Sequence, residues 1–207
     1  MSRQEEGLKT KILLASASPR RKKILDDLGL DFEVSVPGGS QELKGSDPVR
    51  TVIENSIIKA RDVLRGISDR ETRYLVSSFD TVVVLGNRIL GKPSDIEEAY
   101  SFIETLSGKV HRVITGICVM ESVSGIYVTG REISKVRFRE LTSDEIKNYL
   151  KMEFVLDKAG AYNIAGPGAM LVEKVKGCLF NIIGLPVFKY FSLLERFDYK
   201  TLYHSKE

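Results

Sequence analysis

Between Tyr74 and Leu85 the chain is apolar and β-branched almost throughout, and no other stretch limits the fold so tightly. Such a run reads as a buried strand, with Ile89-Leu90 returning as a hairpin after the Gly86-Asn87 turn. Asp80 stands in the middle of it. A carboxylate there carries a large desolvation cost unless a cation or hydrogen bonds offset it, so a metal or a lysine partner is expected. The alternative is an aspartate bonded to backbone at a bulge or strand end. Thr81 beside it either faces a ligand or is simply a good strand residue.

A second stretch points to what that carboxylate faces. Ile12-Leu13-Leu14-Ala15 reads as a short buried strand, with Ser18 as the cap of the following helix and Pro19 as its first residue, where the missing N–H costs nothing. Arg20 and Arg21 then fall in the first helical turn. The positive end of the helix dipole disfavours cations, so two in succession suggest an anion bound by the helix terminus and the arginines together. A merely charged surface at a helix start is the alternative.

The remaining pattern is mixed. Ile24, Leu25 and Leu28 follow helical spacing up to Gly29, Phe32 to Val36 alternates like a strand, and Pro37-Gly38-Gly39-Ser40 opens a polar loop to Asp47. A long helix is expected over roughly Pro48 to Arg65, with Val49, Val52, Ile53, Ala60, Val63 and Leu64 on one stripe. Asp95 to Leu106 reads as a helix ended by Ser107-Gly108, and Val110 to Met120 with Ile126 to Phe138 as a large hairpin. Thr142 and Glu145 form a capping box for a helix to about Leu150. Beyond it come a Gly-rich loop, a strand near Ala169 to Val175, a loop from Gly177 to Pro186 and an amphipathic helix to about Phe197. Crossovers and hairpins together predict an α/β fold, a mixed sheet covered by helices in two lobes around a cleft.

Charge narrows the function. Lysine and arginine total 31 against 28 acidic residues, a net +3 over 207 residues, which gives generic nucleic-acid binding little support. Any phosphate recognition must be local. Cys118 and Cys178 have neither a CxxC nor a Cys/His spacing and read as buried thiols, with no disulfide framework or zinc site. Met1 to Lys11 is polar without an apolar h-region, and no stretch has the ~18 apolar residues of a membrane span, so a soluble, cytoplasmic protein is expected.

Lys59 lies seven residues after Val52 and four before Val63, at the edge of the buried stripe, where a lysine either snorkels to water or meets an anion. Lys92, in Gly91-Lys92-Pro93, is a loop lysine held by a rigid proline. Two arginines, two lysines and a costly buried carboxylate together suggest a site for a polyphosphate with a divalent metal, and phosphoryl or nucleotidyl hydrolysis as the chemistry. No GxxxxGK[ST] loop is present. His111 and His204 are too far apart in sequence to form a local ligand pair and read as structural.

In order and spacing, Ala15-Ser16-Ala17-Ser18-Pro19-Arg20-Arg21, Asp80-Thr81, Gly91-Lys92-Pro93, Leu106-Ser107-Gly108, Leu156-Asp157-Lys158-Ala159-Gly160-Ala161-Tyr162 and Ile183-Gly184-Leu185-Pro186 resemble the Maf family of nucleoside triphosphate pyrophosphatases, from about Lys11 to Leu194. The resemblance implies an inosine triphosphatase-like α/β fold, an elongated mixed β-sheet with flanking helices and a central cleft, in one domain over residues 11–195. Residues 1–10 would be a polar tail and 196–207 a C-terminal tail, whose Phe197, Tyr199, Leu202 and Tyr203 would pack back on the body. It implies cleavage of a nucleoside triphosphate between its α and β phosphorus atoms, in the dTTP/UTP branch, with Mg²⁺ or Mn²⁺ as cofactor and a homodimer as the plausible assembly. Nucleic acid and membrane are not expected partners. By position, Asp80 matches the proton acceptor, Ser16, Arg20, Arg21, Lys59, Thr81 and Lys92 the substrate contacts, Arg20, Thr81 and Ala165 the specificity positions, and Asp80 with Glu42 the metal ligands. A nucleotide-sensing regulator of cell division, with weak hydrolysis, is the alternative within the same resemblance.

Three departures bear on that picture. Ser78-Phe79 stands where the family commonly has Gly-Ala, and strand alternation should turn Phe79 away from Asp80. Ser40-Gln41 stands near a usually acidic place, leaving Glu42. Tyr162-Asn163-Ile164-Ala165-Gly166 replaces Tyr-x-Ile-Gln-Gly, so a contact to the base is lost at Ala165.

Overall fold

The computed structural model describes residues 9–39, 41–69 and 71–200; Ser40, His204, Leu202 and Tyr203 lie outside them. In chain order the elements are β1 (Lys9–Ala15), α1 (Pro19–Asp27), β2 (Phe32–Val34), α2 (Pro48–Arg65), β3 (Thr72–Leu85), β4 (Arg88–Leu90), α3 (Ile96–Leu106), β5 (Val110–Glu121), β6 (Tyr127–Phe138), α4 (Ser143–Met152), β7 (Val172–Lys176), α5 (Leu179–Ile183) and α6 (Val187–Leu194). Short 3-10 turns at Ala159–Ala161, Pro167–Leu171 and Glu195–Phe197 complete the elements of the described residues.

The strands make one mixed sheet of order β2-β1-β3-β5-β6-β7, with β4 pairing β3. β2, β1 and β3 run parallel, joined by helical crossovers, and every other pairing is antiparallel. Among the described residues no helix is long and apolar enough to cross a membrane.

Alternation along β3 sorts the core. Tyr74 and Val76 meet Ala60 and Val63 of α2 on one face, and farther along Val82 and Val84 meet Val52. Leu75 and Phe79 point the other way, into a cluster with Ile24 and Leu25 of α1 and Tyr190 and Leu193 of α6. Val83 belongs to a further cluster under α3 and α4, with Phe102, Leu106 and Phe138. Phe79 is fully buried, edge-on to Tyr190 at 5.2 Å between ring centroids, so it does turn away from Asp80.

Helix starts follow the local chemistry. Asp47 caps α2 by accepting from the Val49 and Arg50 amides, and Thr142 and Glu145 form the capping box of α4. Ser18 precedes α1 as expected but makes no side-chain cap bond; its amide donates instead to the Ser16 hydroxyl. β2 ends at Val34, short of the expected Val36. The strand expected from Ala169 begins only at Val172, after a 3-10 turn opened by Pro167, which lacks an N–H for a ladder. The expected loop from Gly177 to Pro186 contains α5. Cys118 is buried and Cys178 only half-buried, and both are free thiols. Burial pushes the Cys118 thiol up to about 12. Phe197 is buried, and Tyr199 packs against the α1/α6 core.

His111 is structural, as its isolation in the sequence suggested. Its ring stands edge-on to Phe138 and Tyr162, with Nε2 2.9 Å from the Tyr162 hydroxyl and Nδ1 without a partner. Burial lowers its pKa to about 4. The unfolded chain takes up that proton near pH 6.5, so between about 6.5 and 4 the unfolded state binds more protons and stability falls as the pH falls. The loss across this window is about 3 kcal/mol. Urea unfolding at pH 7 and pH 4.5 reads it as the difference between wild type and His111→Phe; equal losses in both proteins contradict the assignment.

Candidate active site

Two strand ends make the site. β1 stops at Ala15 opposite Ser78, and β4 is first met at Val83, so the β3 edge from Phe79 to Val82 has β5 on one side and no strand on the other. A cavity of about 340 Å³ opens at this gap. The loop after β1, the start of α1, α2, the Lys92 loop, Asp157-Lys158 and the end of α5 contribute to its walls.

Asp80 projects on the α2 side and is 7% exposed. The lysine partner that its burial demands is Lys59, whose Nζ is 2.6 Å from Oδ1. Asn55, one helical turn earlier, donates Nδ2 to Oδ2 at 3.1 Å. Sequence reasoning missed Asn55; the available signal was a polar residue four before Lys59. Asn55 also accepts from the Leu43 amide at 2.7 Å and donates to the Leu43 carbonyl, fixing the loop that carries Glu42. Glu42 in turn places Oε1 2.7 Å from the same Lys59 Nζ. Partial burial alone would raise the Glu42 carboxyl, but the Lys59 ammonium, with Lys92 and Arg21 farther off, holds it below its ordinary value.

The two arginines behave differently. Arg21 turns inward, donating Nε to the Gly184 carbonyl at 2.8 Å and its terminal nitrogens to Ser16 Oγ and Thr81 Oγ1 at 3.1 Å each. Its guanidinium lies 5.6 Å from the Phe79 ring centroid. Desolvation lowers its pKa to about 10, against an opposing pull from Asp80, so it stays charged at neutral pH. Gly184 supplies that carbonyl from a left-handed helix stop at φ 112°. Thr81 continues the chain of contacts to Thr115 Oγ1 at 2.9 Å, and Thr115 donates to the Asn181 carbonyl.

Arg21 therefore ties β1, β3 and the α5–α6 turn together around the cavity. Arg21→Lys keeps the charge but replaces the planar fork with a single nitrogen that cannot reproduce three bonds made from three separate nitrogens. The expected loss of unfolding free energy is about 3 kcal/mol, read from urea midpoints; an unchanged midpoint contradicts this role.

Arg20 reaches across the cavity, its terminal nitrogen 3.6 Å from Asp157 Oδ2. Behind Asp157, Lys158 is 5% exposed and pairs with both Asp157 at 2.7 Å and Glu153 at 3.1 Å. Ser16, which accepts from the Ser18 amide and Arg21, keeps its own hydroxyl proton to donate. Lys92 is exposed at the rim. Val83, Val113 and Ile182 add apolar lining to the cavity, together with Tyr162 and Asn163. Ala165 does not reach this cavity: it is exposed, and its amide donates to Asn163 Oδ1.

Of the residues picked out in the sequence, Ser16, Arg20, Arg21, Glu42, Lys59, Asp80, Thr81 and Lys92 thus line one cavity, and Ala165 alone does not. Among the described residues there is no group of three or more His, Cys, Asp or Glu side chains suited to a metal. The two carboxylates picked out as metal ligands, Asp80 and Glu42, meet on Lys59.

The family described as Maf-like protein matches residues 11–197. A dTTP/UTP pyrophosphatase of Thermoanaerobacter sp. (strain X514) is 42% identical over 193 residues, covering 93% of this chain and all of that protein. The dTTP/UTP pyrophosphatase of Acetivibrio thermocellus is 42% identical over 93% of this chain and 98% of its own. That of Aquifex aeolicus is 40% identical over 91% and 96%. Among solved structures, the Staphylococcus aureus Ham1 protein is 12% identical over 90% of this chain and 97% of that one, with a TM-score of 0.46.

Proposed function

The chain belongs to the Maf-like protein family, and on that footing we propose that it hydrolyses the α–β anhydride of pyrimidine nucleoside triphosphates, dTTP and UTP, to the monophosphate and pyrophosphate. That it is a nucleoside triphosphate pyrophosphatase rests on relatives at about 40% identity over nearly its whole length. One observation carries the residue assignment: a buried carboxylate, Asp80, held by Lys59 and Asn55 at a gap in the sheet and faced by an arginine, a lysine and a free hydroxyl proton.

In this reading Arg20, Lys92 and Ser16 hold the triphosphate, while the base occupies the apolar end near Val113 and Tyr162. Asp80 accepts a proton from water as the water oxygen bonds to the α-phosphorus. The bond from that phosphorus to the bridging oxygen breaks, and its electron pair leaves with pyrophosphate. Lys59 and Lys92 offset the charge on the departing oxygens. Asn55 and Lys59 keep the Asp80 carboxylate aimed, which counts because a misplaced base loses much of its effect.

Arg21 acts as the frame, and Thr81 acts through it. Arg20 is the specificity position set by Asp157, and Asn163 supplies the amide at the base end that Ala165 cannot. Asp80 and Glu42 offer hard oxygen donors that suit a Mg²⁺ or Mn²⁺ ion arriving on the substrate's phosphates, rather than a resident ion in a protein cage. Such an ion supplies charge neutralisation and polarisation at the phosphoryl oxygens. The sensing alternative is not favoured, since the relatives that span the whole chain carry the enzyme's name.

Initial rates of pyrophosphate release from UTP, dTTP, CTP, ATP and GTP test the base assignment. UTP and dTTP are expected to exceed the purine triphosphates by about tenfold or more. Equal rates across the set would overturn the pyrimidine preference, with the cleavage chemistry left standing.

A further inference from the structure

Asp80 and Gly116 are direct partners across β3 and β5, so both face α2. A Cβ on Gly116 would lie 2.4 Å from the Val52 carbonyl oxygen, 2.5 Å from its carbon and 2.8 Å from the Ile53 nitrogen. All three are helix backbone, which no side-chain rotation can relieve. The β5 residues on the same face either side, Ile114 and Cys118, do carry side chains. Val52 lies one turn before Asn55 and two before Lys59 on α2. The helix therefore lies too near the sheet for a side chain at the residue opposite the carboxylate it must hold.

A second contact pins the same seat. Ser78, on the same face two residues before Asp80, donates Oγ to the Ser56 carbonyl of α2 at 2.5 Å. The two partners of Asp80 differ in how far they could follow a displaced helix. Lys59 has a flexible four-carbon stem, whereas the Asn55 amide is short and is also committed to both backbone groups of Leu43.

We propose that Gly116 is a positioning residue for hydrolysis: its missing side chain seats α2 so that Asn55, and with it the Glu42 loop, can hold Asp80. The proposal rests on the pyrophosphatase reading for its kinetic readout, and acts through Asn55 rather than by touching substrate.

The test compares Gly116→Ala, Ser78→Ala and Asn55→Ala, singly and combined, for pyrophosphate release from UTP with Mg²⁺. Gly116→Ala is expected to lower kcat about 100-fold with KM within about threefold of wild type, as a displaced catalytic group does. Ser78→Ala, which adds no atom and keeps the comparison open if Gly116→Ala does not fold, is expected to lower kcat about fivefold in the same way. In the Asn55→Ala background either change is expected to cost no more than about twofold, because the three act as one unit. Gly130→Ala, whose methyl would meet Leu193 and Lys189 side chains on the opposite face, tests for mere destabilisation and leaves the kcat-to-KM split unchanged.

Full additivity with Asn55→Ala, or wild-type kcat in folded Gly116→Ala, overturns the proposal. The Asn55 side-chain amide resonance, followed by ¹⁵N NMR, moves in the Gly116 and Ser78 variants whatever reaction the protein performs. An unmoved resonance overturns the positioning, while a moved one beside a wild type that releases no pyrophosphate faults only the reaction.

Discussion

Asp80→Asn is expected to lower kcat for pyrophosphate release about 10³-fold, within the range that positioned proton transfer contributes, and to leave the fold in place. Asparagine matches the carboxylate in shape, and its carbonyl can still accept from Lys59 or Asn55. What it lacks is the ability to take a proton from water. Lys59 keeps Glu42 as a counter-charge, so the variant strands no lone cation. The melting temperature is therefore expected to stay within about 5 °C of wild type, and UTP still to bind. An Asp80→Asn protein with more than about a tenth of wild-type turnover would remove Asp80 from the proton-acceptor role.

Lys59→Met is expected to damage both stability and turnover. Methionine fills much of the lysine stem but leaves Asp80 and Glu42 facing the same place without their shared cation. Breaking a buried pair from one side costs about 3 kcal/mol at neutral pH, and kcat/KM should fall about 10³-fold as the carboxylate loses its orientation. The pH dependence gives a further check. Contact with Lys59 holds the half-buried Glu42 below its ordinary carboxylate value. Its contribution is thus present above the unfolded pKa of about 4.3 and lost as the pH falls through the lower folded value. The stability deficit of Lys59→Met relative to wild type should narrow as the pH drops through that range. A deficit that stays constant from pH 7 to pH 3.5 would contradict the ion-pair account.

Some of this site was open to sequence reasoning because its physics is local. A carboxylate inside an apolar β-branched run demands a partner, and Lys59 at the edge of an apolar stripe is the kind of residue that can provide one. Strand alternation was enough to turn Phe79 away from Asp80. Other features depend on distant chain. Arg20 and Arg21 are indistinguishable as neighbours, and only the carbonyl of Gly184 and the hydroxyl of Thr81 draw one of them inward. Asn55 looks like any polar residue on a helix until Asp80 and Leu43 are brought to it. Gly116 looks like a weak point in a strand until α2 is seen lying over it. α5 spans five residues, too few for a helical period to show. Ala165 sits beside cavity residues in the chain, yet the turn through Asn163 and Gly166 leaves it outside.

In the proposed reaction, water activated at Asp80 attacks the α-phosphorus. Hydrolysis of UTP in H₂¹⁸O, with products resolved by ³¹P NMR, locates the attacked phosphorus. The expected products are UMP and pyrophosphate, with the ¹⁸O label on UMP and the reaction suppressed in Asp80→Asn. Label on pyrophosphate, or UDP and phosphate as products, would contradict it.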